Sequence, residues 1–336
     1  MTKKYIMLNI LPMLLLFFSP YWVLAHVKWF TTVVPEKKIL EDIINPLFLI
    51  VALFTAIILA MLPFILSKMH EWKWSQRIEC RLKSYDTYTT YILKYGTAIA
   101  FMIQILSGTI FVPEFRIQAE ILTWIIVLGI IIPLIIPHNI STTIGALGIL
   151  ILYIWLTLET NFLRTIDYIF YVAIAFALIL NYMKLKKYSI PILYFFTGFS
   201  LIWVAMEKLV YPSMAVDVVM KHNVPTFGFP PDVFIVLCAF IEFAIGYLLI
   251  VGILNRTLAV IVTTIFMLTT LIFGVTEIIG HFMLHILLII FLIEGATDYS
   301  MPIKMHEKRR AQSFCLFLNF FFVLFTILTS YYISTS

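Results

Sequence analysis

Six residues in one stretch of the chain have the types and spacing to do chemistry. Glu207 and Lys208 are adjacent, Glu242 follows, and Glu277, His281 and His285 recur at i, i+4 and i+8. On a helix these last three drift only about 80° around the axis in all, so they share one face. Two His at i, i+4 with Glu277 as a third ligand can hold a metal ion. A buried Glu beside a His can pass a proton or meet a quinone head group. The same side chains can also simply join helices through hydrogen bonds and an ion pair. A zinc-protease HExxH sequence is absent, because the segment runs Glu277-Ile278-Ile279-Gly280-His281 with no Glu between the histidines. Gly280 beside His281 would admit close approach of another helix.

The elements that must position these groups are membrane helices. Of 336 residues 62% are apolar and 12% charged, against roughly 25% charged in a soluble domain. Mean hydropathy is +1.03. These values exclude a soluble globular enzyme, a disordered chain and a nucleic-acid-binding domain. Cys80, Cys238 and Cys315 are widely spaced, which argues against a disulfide framework or a zinc site. No phosphate-binding Gly-rich loop, Walker sequence or nucleophile elbow is present.

A helix needs about 20 mostly apolar residues to span a bilayer. Such stretches lie at roughly 5–25, 46–66, 91–112, 118–136, 140–158, 166–182, 189–206, 232–253, 257–273, 275–294 and 314–333. The expected fold is an all-α polytopic bundle of about 10–11 transmembrane helices. Residues 1–25 read as a signal peptide or a first transmembrane helix: Lys3 and Lys4 precede an apolar run, and Val23-Leu24-Ala25 fits a cleavage site. Cleavage there would make His26 the N-terminal residue, able to chelate a metal ion through its amine and imidazole. Otherwise His26 is an interfacial residue near Trp29.

With a cytoplasmic N-terminus, 16 of the 23 Lys and Arg fall on the cytoplasmic side and 7 outside, a positive-inside pattern. This places the C-terminus outside and Glu207, Glu242, Glu277, His281 and His285 in the outer half of the bilayer, with Asp217 and His222 above them. Arg256 belongs to a cytoplasmic turn, anchored by lipid phosphate or by a helix C-terminus. The basic run Lys304–Arg310 suits anionic lipid head groups better than nucleic acid.

The chain divides into residues 1–25, a segment 26–90 with one transmembrane helix and a charged loop, a four-helix unit 91–182, a second unit 189–295, and a loop with a last helix at 296–336. Ile92-Leu93 and Thr97 recur as Ile192-Leu193 and Thr197, and Gly129 and Asn139 parallel Gly246 and Asn255, which suggests a degenerate repeat. The first unit has few polar groups in its helices, Gln104 being the main one.

Residues 189–295 resemble the DoxX-like superfamily of bacterial four-helix membrane proteins. The matching features are Gly198, the Glu207-Lys208 helix end with Pro212, Glu242, Gly246, the turn Gly252-Ile253-Leu254-Asn255-Arg256, and Glu277 through His281 with His285. The resemblance covers about a third of the chain, which is more than twice as long as simple members of that family. It implies an inner-membrane protein with a quinone- or thiol-linked redox role, often through a soluble or membrane oxidoreductase subunit as partner, and does not imply that the chain is itself a catalyst; the polar residues leave a quinone or a metal ion open as the cofactor. The other classes open to the sequence are a transporter or metal-handling permease, and a non-catalytic subunit that recruits an oxidoreductase. Mass spectrometry of the mature protein is expected to show an N-terminus at His26; a chain still beginning at Met1 would establish a retained first segment.

Overall fold

The computed structural model describes residues 27–69, 73–295 and 309–335, without the side chains of 66–69 and 73–75. The possible signal peptide, His26 and most of the loop before the last helix lie outside the described residues. In chain order the helices are α1 (Pro46–Met69), α2 (Lys73–Lys83), α3 (Thr89–Leu106), α4 (Glu120–Ile135), α5 (Asn139–Glu159), α6 (Phe162–Tyr168), α7 (Phe170–Leu180), α8 (Ser189–Val210), α9 (Pro212–Lys221), α10 (Pro231–Val251), α11 (Asn255–Phe273), α12 (Val275–Glu294) and α13 (Arg309–Ser334). Strands β1 (Thr109–Ile110) and β2 (Val112–Arg116) pair antiparallel.

The protein is an all-α membrane bundle. Many of its helical segments are rich in Ile, Val and Phe, which in water favour strands. In lipid no water can satisfy a backbone amide or carbonyl, so the helix prevails because it satisfies its own. Among the described residues seven helices are long and apolar enough to cross a membrane: α1, α5, α8, α10, α11, α12 and α13. The α6–α7 pair, bent by 56°, makes an eighth if it is one span. The stretches expected at 91–112 and 118–136 are helical as α3 and the short α4, but neither reaches that standard. The first ends early because Gly108 (φ 69°) and Phe111 (φ 61°) turn the chain into the β1–β2 hairpin. This hairpin is buried, and Tyr171 donates a hydrogen bond to the Phe111 carbonyl at 2.7 Å.

Packing is closest where side chains are smallest. At the α8–α10 crossing, a Cβ on Gly198 would lie 2.5 Å from the Gly246 carbonyl oxygen, and the reverse is equally tight. Small residues let helix backbones approach in lipid, where no hydrophobic force drives them together. Elsewhere α5 packs on α7 and α11 on α12. Between the two spans the contacts are reciprocal. The first helix of 91–182, α3, packs on the last of 189–295, α12, and the last of the former, α7, on the first of the latter, α8.

Helix ends are held by basic side chains. Lys94 donates to the Ile136 carbonyl beyond α4 at 2.7 Å. Arg256 donates to the Leu292 and Ile293 carbonyls of α12 at 3.0 and 2.8 Å, so its guanidinium meets a helix C-terminus, where the dipole favours a cation. At the opposite face Lys37 donates to the Tyr332 carbonyl and Tyr211 to that of Thr335, which fixes the chain end beside the segment before α1. Gly246→Leu should push α8 from α10 at a cost of about 1–3 kcal/mol or more. Its thermal survival in detergent is expected to fall well below that of Val260→Leu, a change at a site 51% exposed on the bundle surface.

Candidate functional site

The charged layer is assembled from six places in the sequence. Residues 27–31 enter it from the segment before α1, Glu114 from β2, and Asp167 from the bend between α6 and α7. Glu207 and Lys208 come from the end of α8, Glu242 from α10, and Glu277 and His281 from the start of α12.

The α6–α7 bend begins at Asn161, whose side chain accepts from the Leu163 amide at 3.0 Å and caps the short helix. Three residues of α6 then point into the layer. Arg164 pairs with Glu114, its Nε donating at 2.9 Å. The Tyr168 hydroxyl donates to Glu114 at 2.9 Å and accepts from the Trp29 indole at 3.1 Å. Asp167, 1% exposed, accepts the Lys28 ammonium at 2.7 Å, while its backbone carbonyl accepts from Ser200.

Glu207 and Lys208 are neighbours in sequence and therefore project in different directions from α8. Glu207 lies 3.3 Å from the same Lys28 ammonium. Lys208, 1% exposed, pairs with Glu242 at 2.5 Å. Lys28 lies outside the spans. Burial opposes its charge, yet Asp167, Glu207 and Glu114 outweigh burial and hold its ammonium well above the ordinary lysine pKa.

On α12, Glu277 and His281 are in contact as their spacing predicts, at 3.1 Å, and Thr269 of α11 donates to the same carboxylate oxygen at 2.5 Å. The His281 ring lies between Phe266, stacked at 4.1 Å, and Trp29, at 5.0 Å. Gly280 makes room for the Trp29 ring, which a Cβ there would overlap; the approach expected from a helix is made by an indole instead. Phe266 also lines a narrow crevice with Leu201, Glu242, Ile245, Val262 and Ile265. One aromatic side chain thus touches His281 on one side and borders the Glu242 crevice.

Three expectations need correction. First, no group of three His, Cys, Asp or Glu side chains is placed to hold a metal among the described residues. His285 does not complete a site with His281 and Glu277: its ring meets Phe266 edge-on at 5.8 Å, and its Nδ1 is buried without a hydrogen-bond partner. Second, the half at 91–182 is not poor in ionisable groups, since Asp167 and Lys94 are buried there at 1% and 2% exposure. Gln104 has a structural part, donating to the Ile279 carbonyl at 2.8 Å and accepting from Thr109. Third, Asp217 and His222 serve the segment before α1: Thr31 donates to Asp217 at 2.6 Å, and His222 lies against Phe30 and Phe273.

Lys28, Glu114, Asp167 and Tyr168 are missing from the set expected from sequence. The signal that could have found Asp167 is an acidic residue within an otherwise apolar run, next to Asn161 and Arg164. Lys28 offers no such signal, because its partners are far along the chain.

The layer has more acid than base. Glu114, Asp167, Glu207, Glu242 and Glu277 face three fixed cations, Lys28, Arg164 and Lys208. No family model matches the chain, and no curated protein or solved structure does so either.

Removing one partner of a buried pair strands the other, at about 3–5 kcal/mol, whereas apolar replacement of both is near neutral. Lys208→Met is therefore expected to lower the melting temperature strongly, and Lys208→Met with Glu242→Leu to regain most of the loss. A double variant no more stable than the single would show that the pair is not energetically coupled.

Proposed function

We propose that this chain is a DoxX-like protein of the bacterial inner membrane with a redox-associated role, in which Glu242, Lys208, Glu277 and His281 hold and pass protons in the outer half of the bilayer. The observation that carries the reading is the excess of carboxylates over fixed cations in a layer that includes a His–Glu pair. Ionisable groups inside a membrane are costly and by default functional. Charge balance there favours bound protons, and groups that share protons are suited to exchanging them. The crevice beside Glu242 supports a proton over a larger ligand: its cavity volume is about 10 Å³, close to what one water needs. A quinone or thiol link then runs through an oxidoreductase partner, with this chain as the proton-handling membrane subunit. The redox part of the reading rests on the resemblance of residues 189–295. The outward orientation and the outer C-terminus rest on the distribution of Lys and Arg.

A transporter or metal-handling permease has less support, since the His and Glu side chains form no ligand cluster among the described residues. The test is quinone reduction by a thiol donor in membranes that carry the wild type, Glu242→Gln or His281→Ala. Loss of a proton-transfer group costs about 10²–10⁴ in rate. At least a tenfold fall is expected for each variant at normal expression. Unchanged rates in both would overturn the reading.

A further inference from the structure

We propose that Asp167 and Glu207 form a binding site for a primary ammonium cation, and that the chain's own Lys28 fills it. This does not depend on the redox reading above. The two carboxylates come from different elements, the α6–α7 bend and the end of α8, yet meet one ammonium at 2.7 and 3.3 Å. They are 1% and 2% exposed, and each keeps one oxygen, Asp167 Oδ1 and Glu207 Oε1, buried without a hydrogen-bond partner. Each carboxylate thus turns one oxygen to the ammonium and keeps a second buried acceptor beside it.

The occupant is a tethered one. Lys28 lies in a single turn, Val27–Trp29, outside the spanning helices, and its side chain is 20% exposed, so the cage is not fully closed. The ligand class follows from the donor geometry. An ammonium is a compact charge with three donors, suited to two converging carboxylates, whereas the planar guanidinium fork of Arg164 is used at the rim on Glu114. A tethered group acts at an effective concentration on the order of mM. Free amines below that level do not displace Lys28 from the wild type, and they find the cage open when its side chain is removed.

The experiment compares purified wild type and Lys28→Ala, heated in ethylammonium, tetramethylammonium or sodium chloride at equal ionic strength. The readout is the monodisperse fraction by size exclusion. For Lys28→Ala, ethylammonium is expected to protect several-fold better than the other two salts, because tetramethylammonium has no N–H donor and sodium lacks the shape. The wild type should not distinguish the salts. Lys28→Ala with Asp167→Asn, which removes one carboxylate charge, should lose the preference. Equal protection of Lys28→Ala by all three salts, or equal protection by sodium and ethylammonium, overturns the proposal. If Lys28→Ala yields no folded protein in any salt, Lys28→Gln takes its place under the same criteria.

Discussion

A charge taken out of water must find its opposite inside the protein, and this requirement organises the charged end of the bundle. Lys208 is 1% exposed and stands against Glu242; Asp167 is as deeply buried and stands against Lys28. Each pairing fixes more than two side chains. The Lys208 pair joins α8 to α10 above the point where Gly198 and Gly246 already bring their backbones together. The Lys28 pair draws the segment before α1 into the bundle, and that segment in turn places Trp29 against His281. The β1–β2 hairpin belongs to the same scheme, because it delivers Glu114 to Arg164 and Tyr168. A solitary buried ion costs several kcal/mol even after relaxation, so these elements are not independent of one another.

The helices were legible in the sequence because lipid leaves the backbone so little choice. Runs of apolar residues become helices whatever their β-propensity, and nearly every expected run within the described residues is helical. Local spacing was equally informative: Glu277 and His281, one turn apart on α12, do meet. The α8–α10 pair of Lys208 and Glu242 was indicated more loosely, by their common depth. Partners from distant parts of the chain were not legible. Lys28 and Asp167 are separated by 139 positions, and no periodicity connects a loop lysine to an aspartate at a helix bend. Glu114 was hidden for a different reason. The apolar run ahead of it read as a continuing helix, and only the positive φ of Gly108 and Phe111 turns it into a hairpin. His285 shows the limit of helical periodicity, since sharing a broad face with His281 does not mean sharing a ligand.

Aromatic side chains complete what the charges begin. Phe266 stacks on His281 and meets His285 edge-on, while Trp29 closes the other side of His281. Such rings exclude water from the Glu277–His281 pair, which strengthens the electrostatic coupling between them. They also fix the imidazole plane. The orientation of a histidine determines which of its nitrogens meets a partner, and here Nδ1 faces Glu277.

The packing of α1 on α13 bears on how the protein is made. The first described long helix takes the last one as its main partner, with Ser313 of α13 donating to the Ala60 carbonyl of α1 at 2.5 Å. Synthesis runs from N- to C-terminus, so α1 enters the membrane long before α13 exists. Until then its broad apolar surface has lipid for a neighbour where the finished bundle has protein. This surface therefore closes late, when α13 arrives beside α1, and a ribosome stalled before residue 309 would leave α1 without its partner there.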